Sequence, residues 1–274
     1  MNTMPNGHFT TKGIGDTTFS GPLENLPYPT ANDLDSRIER MYTEGYVWFP
    51  GVLDAGEVAE LRARMDAMGG PDEEYVVKDW CFNKHIVSDF SQDPNHLDTI
   101  DRPGVIEVAE AIHDSGCHVT GGTSWITGEG RNMGVHVDYQ PVSLPEAVFD
   151  DPNVKVPIFT STAHFYLNDM VAELGATTVV PGSHRAGRPP VNECSWHGVT
   201  PKAVMVNAGD VVLFRGDLWH GAWQNSGPDR RYMLQVHYAN GMISKGYPPM
   251  RYQSLYATEV LERATKRQRR LLGG

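Results

Sequence analysis

Two histidines and one carboxylate in this chain are spaced so that together they could hold a metal ion. His136 and Asp138 are two residues apart, and on a β-strand such side chains point to the same side. His220 lies far downstream, where a turn and a short strand can return it beside the first pair. Two histidines and a carboxylate can occupy one face of an octahedral Fe(II) ion, which leaves three positions open for substrates and O2.

An arginine follows the second histidine in the sequence at a spacing that suits a ligand-binding role. Arg231 follows His220 by eleven residues, which suits the next strand of a tight hairpin, and a guanidinium there could grip a dicarboxylate with two hydrogen bonds. Arg230 competes for this role. Adjacent strand residues face opposite sides, so only one of them can reach the ligand, and the spacing favours Arg231. Together these residues predict an iron- and 2-oxoglutarate-dependent oxygenase.

Each of these signals has an ordinary structural alternative when taken alone. A His-x-Asp pair is most often a surface or turn feature. A histidine at a strand end, such as His220, is more often a hydrogen-bonded structural residue than a metal ligand. Arg231 alone could be a surface cation. The prediction therefore depends on the residues occurring together and on a fold that brings them to one place.

The first part of the chain has the texture of an irregular arm followed by helices. Residues 1–30 are rich in Gly, Pro, Thr and Asn, which predicts an N-terminal arm or irregular loop. Asn32 is the expected N-cap of a helix reaching Tyr42, and Asp54 is the expected N-cap of a second helix. A third helix is expected over residues 102–113, and a short strand over residues 45–49.

From Cys117 onward the sequence changes to short β-rich segments separated by turn residues. This texture predicts a sandwich or barrel. The expected strands are Val119–Ile126, Thr160–Leu167, Thr177–Val180, Ala203–Val206, Val211–Phe214 and Arg231–Tyr238. The sequence from Ala257 onward predicts a helix. We expect a single domain over residues 31–274, divided into a helical support (31–115), a β core (116–240) and a C-terminal loop and helix (241–274).

The bulk composition restricts the possible partners. The formal net charge of −11 disfavours nucleic acid, because a polyphosphate requires a basic surface. There is no apolar run of membrane-spanning length and no Cys-x-x-Cys among the three cysteines, so we expect a cytoplasmic protein with free thiols and no membrane partner. A small-molecule substrate and a monomer or homodimer are the remaining expectations.

Several motifs in order resemble the phytanoyl-CoA dioxygenase family of Fe(II)/2-oxoglutarate oxygenases. The resembling segments are His136-Val137-Asp138, Glu173-Leu174-Gly175-Ala176-Thr177-Thr178-Val179-Val180-Pro181-Gly182-Ser183-His184, Gly209-Asp210-Val211-Val212-Leu213-Phe214 and Leu218-Trp219-His220-Gly221, with Asn225 and Arg231. The similarity begins at about residue 34 and includes the N-terminal run from Glu44 to Leu53.

The resemblance implies a mainly β fold with flanking helices, a double-stranded β-helix of the jelly-roll, cupin-like kind. It implies that His136, Asp138 and His220 bind iron, and that Arg231 pairs with the distal carboxylate of 2-oxoglutarate. Thr177 matches a family position whose hydroxyl adds a hydrogen bond to the same carboxylate. His184, despite its motif, is expected to shape a loop.

The chain departs from the family pattern in two places. Leu174 stands where many members carry Asn, and we expect only an adjusted turn. The Gln that often precedes the His-x-Asp pair is missing, which leaves Asn132 as a candidate for that contact with the cosubstrate.

The residues on the substrate side are predicted from their positions next to the expected ligands. Tyr139 and Gln140 follow Asp138, and Trp223 lies three residues past His220, so they are candidate pocket residues. Trp125 is a further candidate, although core packing is the stronger interpretation for it and for Phe165. His164, His197 and His237 have no motif that supports a role as ligands.

The function predicted from these residues is oxidation of a C–H bond in a small-molecule metabolite of specialised metabolism. Hydroxylation is the expected outcome, with Fe(II) as cofactor and with 2-oxoglutarate and O2 as cosubstrates that yield succinate and CO2. Desaturation, epoxidation, cyclisation and epimerisation are alternatives with the same cofactor. Two other classes stay open, a non-catalytic jelly-roll binding protein and a cupin-like metal hydrolase or isomerase, which would not need Arg231.

Overall fold

The structure is a computed structural model that describes residues 23–28, 31, 33–68, 76–77, 83–86, 94–244 and 258–273. Most of the predicted N-terminal arm, together with Asn32 and Cys81, lies outside the described residues.

Twelve strands are present in the described part of the chain. They are β1 (Glu24–Asn25), β2 (Tyr46–Phe49), β3 (Val76–Val77), β4 (Lys84–Ile86), β5 (His118–Thr127), β6 (Met133–His136), β7 (Thr160–Tyr166), β8 (Thr177–Val179), β9 (Lys202–Ala203), β10 (Val211–Arg215), β11 (His220–Ala222) and β12 (Arg231–Ala239). The predicted strand over residues 203–206 is shorter than expected and begins one residue earlier. The other β-rich segments agree with prediction to within a residue or two at each end.

The helices lie mainly before and after the β-rich region. They are α1 (Leu34–Thr43), α2 (Ala55–Ala67), α3 (Val105–His113), α4 (Ala147–Asp150), α5 (Thr258–Arg263) and α6 (Lys266–Leu272), with short 3-10 segments at Pro94–Thr99, Asp114–Gly116, Ala172–Leu174 and Ser183–Ala186. No helix in these ranges combines the length and the apolar character needed to cross a bilayer.

Helix boundaries follow the capping chemistry of the sequence with three adjustments. Asp54 caps α2 in a reciprocal capping box with Glu57, as predicted. The cap of α1 is Asp33, whose side chain accepts from the Ser36 N–H at 2.8 Å, so the helix starts one residue later than expected. Helix α3 starts at Val105, later than the predicted residue 102. The predicted C-terminal helix is two helices, because Thr265 caps α6.

The strands form two facing sheets. The smaller sheet has the order β1-β9-β8-β11-β6, and the larger has the order β2-β10-β7-β12-β5-β4-β3. The pairings are antiparallel except for β1 with β9. With helices packed outside, this is the predicted mainly β, double-stranded β-helix. The segment 31–115 supplies helices as expected and also contributes β2, β3 and β4 to the larger sheet.

The central strands of the larger sheet, β10, β7, β12 and β5, are buried on both faces, and the two faces have different compositions. On β12, Leu234, Val236 and Tyr238 pack into the core that the sheet shares with the helices, which also contains Phe165. Met233 packs into a second core between the two sheets. Residues on the same face of β12 as Met233 include Arg231, Gln235 and His237. The period-two alternation of a strand therefore directs polar side chains into the space between the sheets.

One glycine, Gly175, allows a close approach between two backbone segments beside the space between the sheets. Gly175 has φ +69°, and a Cβ at this position would lie 2.5 Å from both Asn225 N and Trp223 O. Its carbonyl accepts a hydrogen bond from the Arg231 guanidinium. Leu174, which stands where many family members carry Asn, directly precedes this turn, and its side chain is buried in the inter-sheet core.

We expect Gly175→Ala to lower the free energy of unfolding by about 3 kcal/mol, since a left-handed backbone conformation and a steric clash add together. Gly130→Ala is the matched control, because Gly130 also has a positive φ but nothing lies within 4 Å of its added Cβ. That variant should lose only about 1 kcal/mol. Urea denaturation measures both values, and equal losses would show that the close approach at Gly175 is not limiting.

Candidate metal centre

The two predicted histidine ligands face each other across paired strands of the smaller sheet. His136 ends β6 and His220 begins β11, and the two are direct antiparallel partners. Their ring centroids are 4.3 Å apart. Asp138 lies two residues beyond His136. One ligand atom from each of the three side chains falls within 4.8 Å of the others, which is the only such cluster among the described residues.

Backbone carbonyl groups orient both imidazole rings. His136 Nδ1 is 2.8 Å from Gly134 O, and His220 Nδ1 is 2.9 Å from Leu218 O. A carbonyl oxygen only accepts, so each Nδ1 carries a proton and each Nε2 is the ring nitrogen left to face the cluster. Those Nε2 atoms lie 3.8 Å and 3.4 Å from Asp138 Oδ1. The cluster therefore directs two ring nitrogens and a carboxylate oxygen toward one point.

The protonation of the cluster suits a cation. Burial acts to raise the pKa of Asp138, but attraction to His220 and a hydrogen bond from it outweigh burial and hold this pKa well below its usual value. Burial, reinforced by repulsion from His220, lowers the pKa of His136 to about 4. Burial opposes protonation of His220, yet attraction to Asp138 raises its pKa overall, so a metal ion that binds here would displace the proton that His220 shares with Asp138. Asp138 is therefore ionised and His136 neutral near pH 7.

Asp138 uses its two oxygens differently. Oδ1 faces the histidines, whereas Oδ2 accepts a hydrogen bond of 2.9 Å from Thr162 Oγ1. This anchor leaves Oδ1 as the oxygen available to a metal. Second-layer hydrogen bonds of this kind orient the ligands of metal sites.

The arginine predicted to grip a carboxylate is buried and lacks an anionic partner. Arg231 is 3% exposed, whereas its neighbour Arg230 is exposed on the opposite face. Arg231 Nη1 donates to the Gly175 carbonyl, and its Nε has no hydrogen-bond partner. No acidic side chain in the described ranges pairs with it. Burial lowers its pKa to about 10, so it stays charged near pH 7. A buried cation without a counter-ion is costly, and a ligand carboxylate would compensate it.

The three clustered residues and Arg231 line the same cavity, which has a volume of about 210 Å³. Thr177, Asn132 and Trp125 line it as well, so these three sequence candidates are brought to the site. Trp125 also packs in the inter-sheet core, so this residue both lines the cavity and contributes to core packing. The donor set and the uncompensated guanidinium fit a metal ion accompanied by an organic carboxylate.

Three other candidates are not among the residues that line the cavity. Trp223 lies just beyond β11. Its backbone N–H donates to Ala176 O at 2.8 Å, and its side chain packs in the inter-sheet core. The Tyr139 N–H donates to Gly216 O at 3.0 Å. Gln140 has a buried Oε1 without a hydrogen-bond partner. Closeness in sequence to a ligand therefore did not place these side chains at the cavity.

Several cavity residues were missed, and all of them except Gly221 carry no motif. They are His85, Thr123, Thr127, Met133, His164, Gly221, Ala222, Gln235 and His237. Strand alternation was the available signal, since many of them share a face with Trp125 on β5 or with Arg231 on β12. By contrast, His184 lies outside the cavity, and its Nε2 is 3.0 Å from the Tyr42 carbonyl, which agrees with a role in shaping its turn.

Comparison with known sequences identifies relatives of this chain. The family model described as phytanoyl-CoA dioxygenase (PhyH) matches residues 41–233, well over half of the chain. A dioxygenase of Talaromyces verruculosus, cdmD, is 28% identical over 130 residues, which cover 45% of this chain and 37% of that protein. The match thus spans little more than a third of the length of this curated relative.

Solved structures share the fold. The epimerase SnoN, in complex with Fe3+, alpha ketoglutarate and nogalamycin RO, is 23% identical with a TM-score of 0.59, over 79% of this chain and 88% of that one. HygX from Streptomyces hygroscopicus, with nickel, 2-oxoglutarate and hygromycin B bound, is 19% identical with a TM-score of 0.59, over 76% and 88%. The carbocyclase SnoK from nogalamycin biosynthesis is 22% identical with a TM-score of 0.55, over 76% and 85%.

The family match includes both strands that carry the cluster and also reaches Arg231 at the start of β12. The agreement of sequence, fold and cluster geometry leads to one conclusion: the chain belongs to the phytanoyl-CoA dioxygenase family of iron- and 2-oxoglutarate-dependent oxygenases.

Proposed function

We propose that this protein is an Fe(II)- and 2-oxoglutarate-dependent dioxygenase that hydroxylates a C–H bond of a small-molecule metabolite. The observation that carries the proposal is the shared cavity. Three convergent ligand atoms and a buried guanidinium without a counter-ion line the same space. Either feature alone has a structural explanation, but together they match a metal and a dicarboxylate bound side by side.

In this proposal His136 and His220 bind iron through Nε2, and Asp138 binds through Oδ1. Iron bound with 2-oxoglutarate and O2 supplies an oxidant able to attack a C–H bond, with release of succinate and CO2. The chain itself holds the ligands in place. The Gly134 and Leu218 carbonyls fix the two rings, and Thr162 fixes the carboxylate.

Arg231 and Thr177 bind the distal carboxylate of 2-oxoglutarate in this proposal. Thr177 is buried and lines the same cavity as Arg231, so its hydroxyl can donate to the carboxylate that the guanidinium holds. Asn132 lines the same cavity and stands where many family members present Gln, so we assign it the remaining contact with the cosubstrate.

The substrate occupies the rest of the cavity, with Trp125 as the supported aromatic wall. We retain Tyr139, Gln140 and Trp223 as candidate residues of an outer substrate region. The same fold carries an epimerase and a carbocyclase among solved structures, so the outcome needs a product test. Hydroxylation adds one oxygen atom that derives from O2, whereas epimerisation, desaturation and cyclisation add none, and isotopic labelling of O2 separates these results. Cytoplasmic location and a monomeric or homodimeric state stay predictions.

Two other functions make different demands on the site. A cupin-like metal hydrolase or isomerase would not need a buried arginine at the metal cavity, and a non-catalytic binding protein would not need an intact ligand set. We expect slow, O2-dependent formation of succinate from 2-oxoglutarate when the iron-loaded protein is assayed without a substrate. Absence of succinate despite bound iron and 2-oxoglutarate would favour one of these alternatives.

The ligand assignment predicts the effect of removing each histidine. We expect His136→Ala and His220→Ala each to weaken Fe(II) binding by about a hundredfold or more, since each supplies one of three protein bonds. His197→Ala is the matched control, because His197 is exposed and pairs with Glu146 outside the cavity. Anaerobic calorimetric titration with Fe(II) gives the affinities. Normal affinity in either cavity variant would refute the assignment.

The cosubstrate assignment predicts a contrast between two adjacent arginines. We expect Arg231→Leu to weaken 2-oxoglutarate binding by about 2–5 kcal/mol, roughly thirtyfold or more, and Arg230→Leu to have little effect. The weak visible charge-transfer band of the anaerobic Fe(II)–2-oxoglutarate complex reports the binding. A larger effect of Arg230→Leu would mean that the other face of β12 holds the cosubstrate.

A further inference from the structure

A short chain of hydrogen bonds leads from the back of the candidate metal centre to the cavity wall. Thr162 Oγ1 lies 2.9 Å from Asp138 Oδ2 and 3.1 Å from His237 Nδ1. Thr162 and His237 are register partners on β7 and β12, and their side chains are 1% and 4% exposed. Water therefore has little access to these bonds, and their proton positions can be worked out from the chemistry of the groups.

The hydroxyl of Thr162 has one proton to donate. A carboxylate that binds a metal ion is ionised and can only accept, so the Thr162 proton points to Asp138 Oδ2. Thr162 Oγ1 must then accept from its second neighbour, which places a proton on His237 Nδ1. A second proton on the buried Nε2 would have no acceptor in the protein, so the neutral ring is favoured. The chain of bonds thus fixes one tautomer, in which His237 Nε2 is a lone-pair acceptor.

That acceptor has no partner within the protein. His237 lines the cavity, and its Nε2 is shielded from solvent without any hydrogen bond. Leaving such an atom unsatisfied costs about 1–3 kcal/mol, so a ligand that satisfied it would gain correspondingly. Nε2 lies on the edge of the ring opposite the bonds that lead to Thr162 and Asp138.

The chemistry of this atom excludes the two ligands already assigned to the cavity. His237 is not among the residues whose ligand atoms converge within 4.8 Å, so it is not part of the metal cluster. A carboxylate of 2-oxoglutarate offers only lone pairs, which a neutral acceptor repels, whereas the cation Arg231 attracts them. The group that fits Nε2 is therefore a hydrogen-bond donor, which neither the metal ion nor 2-oxoglutarate offers.

We propose that His237 is a substrate-orienting residue that accepts, through Nε2, a hydrogen bond from a hydroxyl group of the substrate. The inference rests on the proposed function and narrows its substrate to a hydroxyl-bearing small molecule. Only Thr162 separates His237 from the carboxylate of the metal centre. His237 therefore positions the substrate hydroxyl through Nε2 and supports Asp138 through Nδ1 and Thr162. A single tautomer of its ring provides both contacts.

Cyclohexanol and its methyl ether form a matched pair of probes, because they share a ring but only the alcohol can donate. The protein is loaded with Mn(II) and 2-oxoglutarate, and the paramagnetic relaxation of the probe protons reports binding near the metal. We expect wild-type protein to bind the alcohol about 3- to 10-fold more tightly than the ether, the range for one hydrogen bond.

Two isosteric variants of His237 distinguish the role of Nδ1 from that of Nε2. Asn at position 237 keeps an N–H near the place of Nδ1 but removes the acceptor, whereas Gln can keep an acceptor near Nε2 but loses the donor to Thr162. We expect His237→Asn to abolish the preference for the alcohol while Mn(II) affinity changes less than twofold. We expect His237→Gln to retain the preference but to bind Mn(II) about tenfold more weakly. His197→Asn, at an exposed site, is the control.

Equal affinity for alcohol and ether in the wild type would overturn the proposal without reference to any variant, even if a variant failed to fold. An unchanged alcohol preference in His237→Asn would overturn it as well. Failure of the wild type to bind Mn(II) or 2-oxoglutarate would refute the proposed function itself, and the inference with it. The controls thus distinguish a wrong orienting residue from a wrong function.

Discussion

A strand that is buried on both faces must satisfy two environments with alternate residues, and the central strands of the larger sheet obey this constraint. Their outward residues are apolar and pack on helices. Their inward residues include Thr162, His164, Arg231 and Gln235, which are polar groups that water cannot reach. Buried polar groups need partners. Residues beside the strands of the smaller sheet supply some of these partners, Asp138 for Thr162 and Gly175 for Arg231, and we infer that ligands in the cavity supply others.

The cavity is lined by polar groups that the protein itself does not pair. At one end no acidic side chain of the described residues pairs with the guanidinium, at the centre two ring nitrogens and a carboxylate oxygen converge, and at the third position His237 Nε2 meets no donor from the protein. Each unsatisfied group calls for a different kind of partner. Binding of the proposed ligands would relieve these costs one after another, so we infer that ligand binding also stabilises the folded state.

A conserved type of scaffold can support different reactions when the walls around the same centre change. Solved structures with this fold include an epimerase and a carbocyclase. In our interpretation the metal cluster and Arg231 set the type of oxidation, whereas residues such as Trp125 and His237 set which bond is presented to it. Function in such folds is a property of the site rather than of the scaffold.

The sequence alone determined the class of fold, the three metal-ligand candidates and the arginine that faces the cavity. These depend on local rules: two-residue spacing places His136 and Asp138 on one side, and alternation separates Arg231 from Arg230. Capping chemistry likewise predicted Asp54, although it misplaced the starts of α1 and α3 by one to three residues.

Only the tertiary structure decided which other residues reach the centre. Nearness in sequence suggested Tyr139 and Trp223, but they do not line the cavity, and both lie past the ends of the strands β6 and β11 that carry the histidines. His237 and Thr162 gave no signal, since they lie on strands distant in sequence from Asp138 and meet it only through the pairing of β7 with β12. Local patterns determine which way a residue faces, whereas sheet register, a non-local property, determines what it faces.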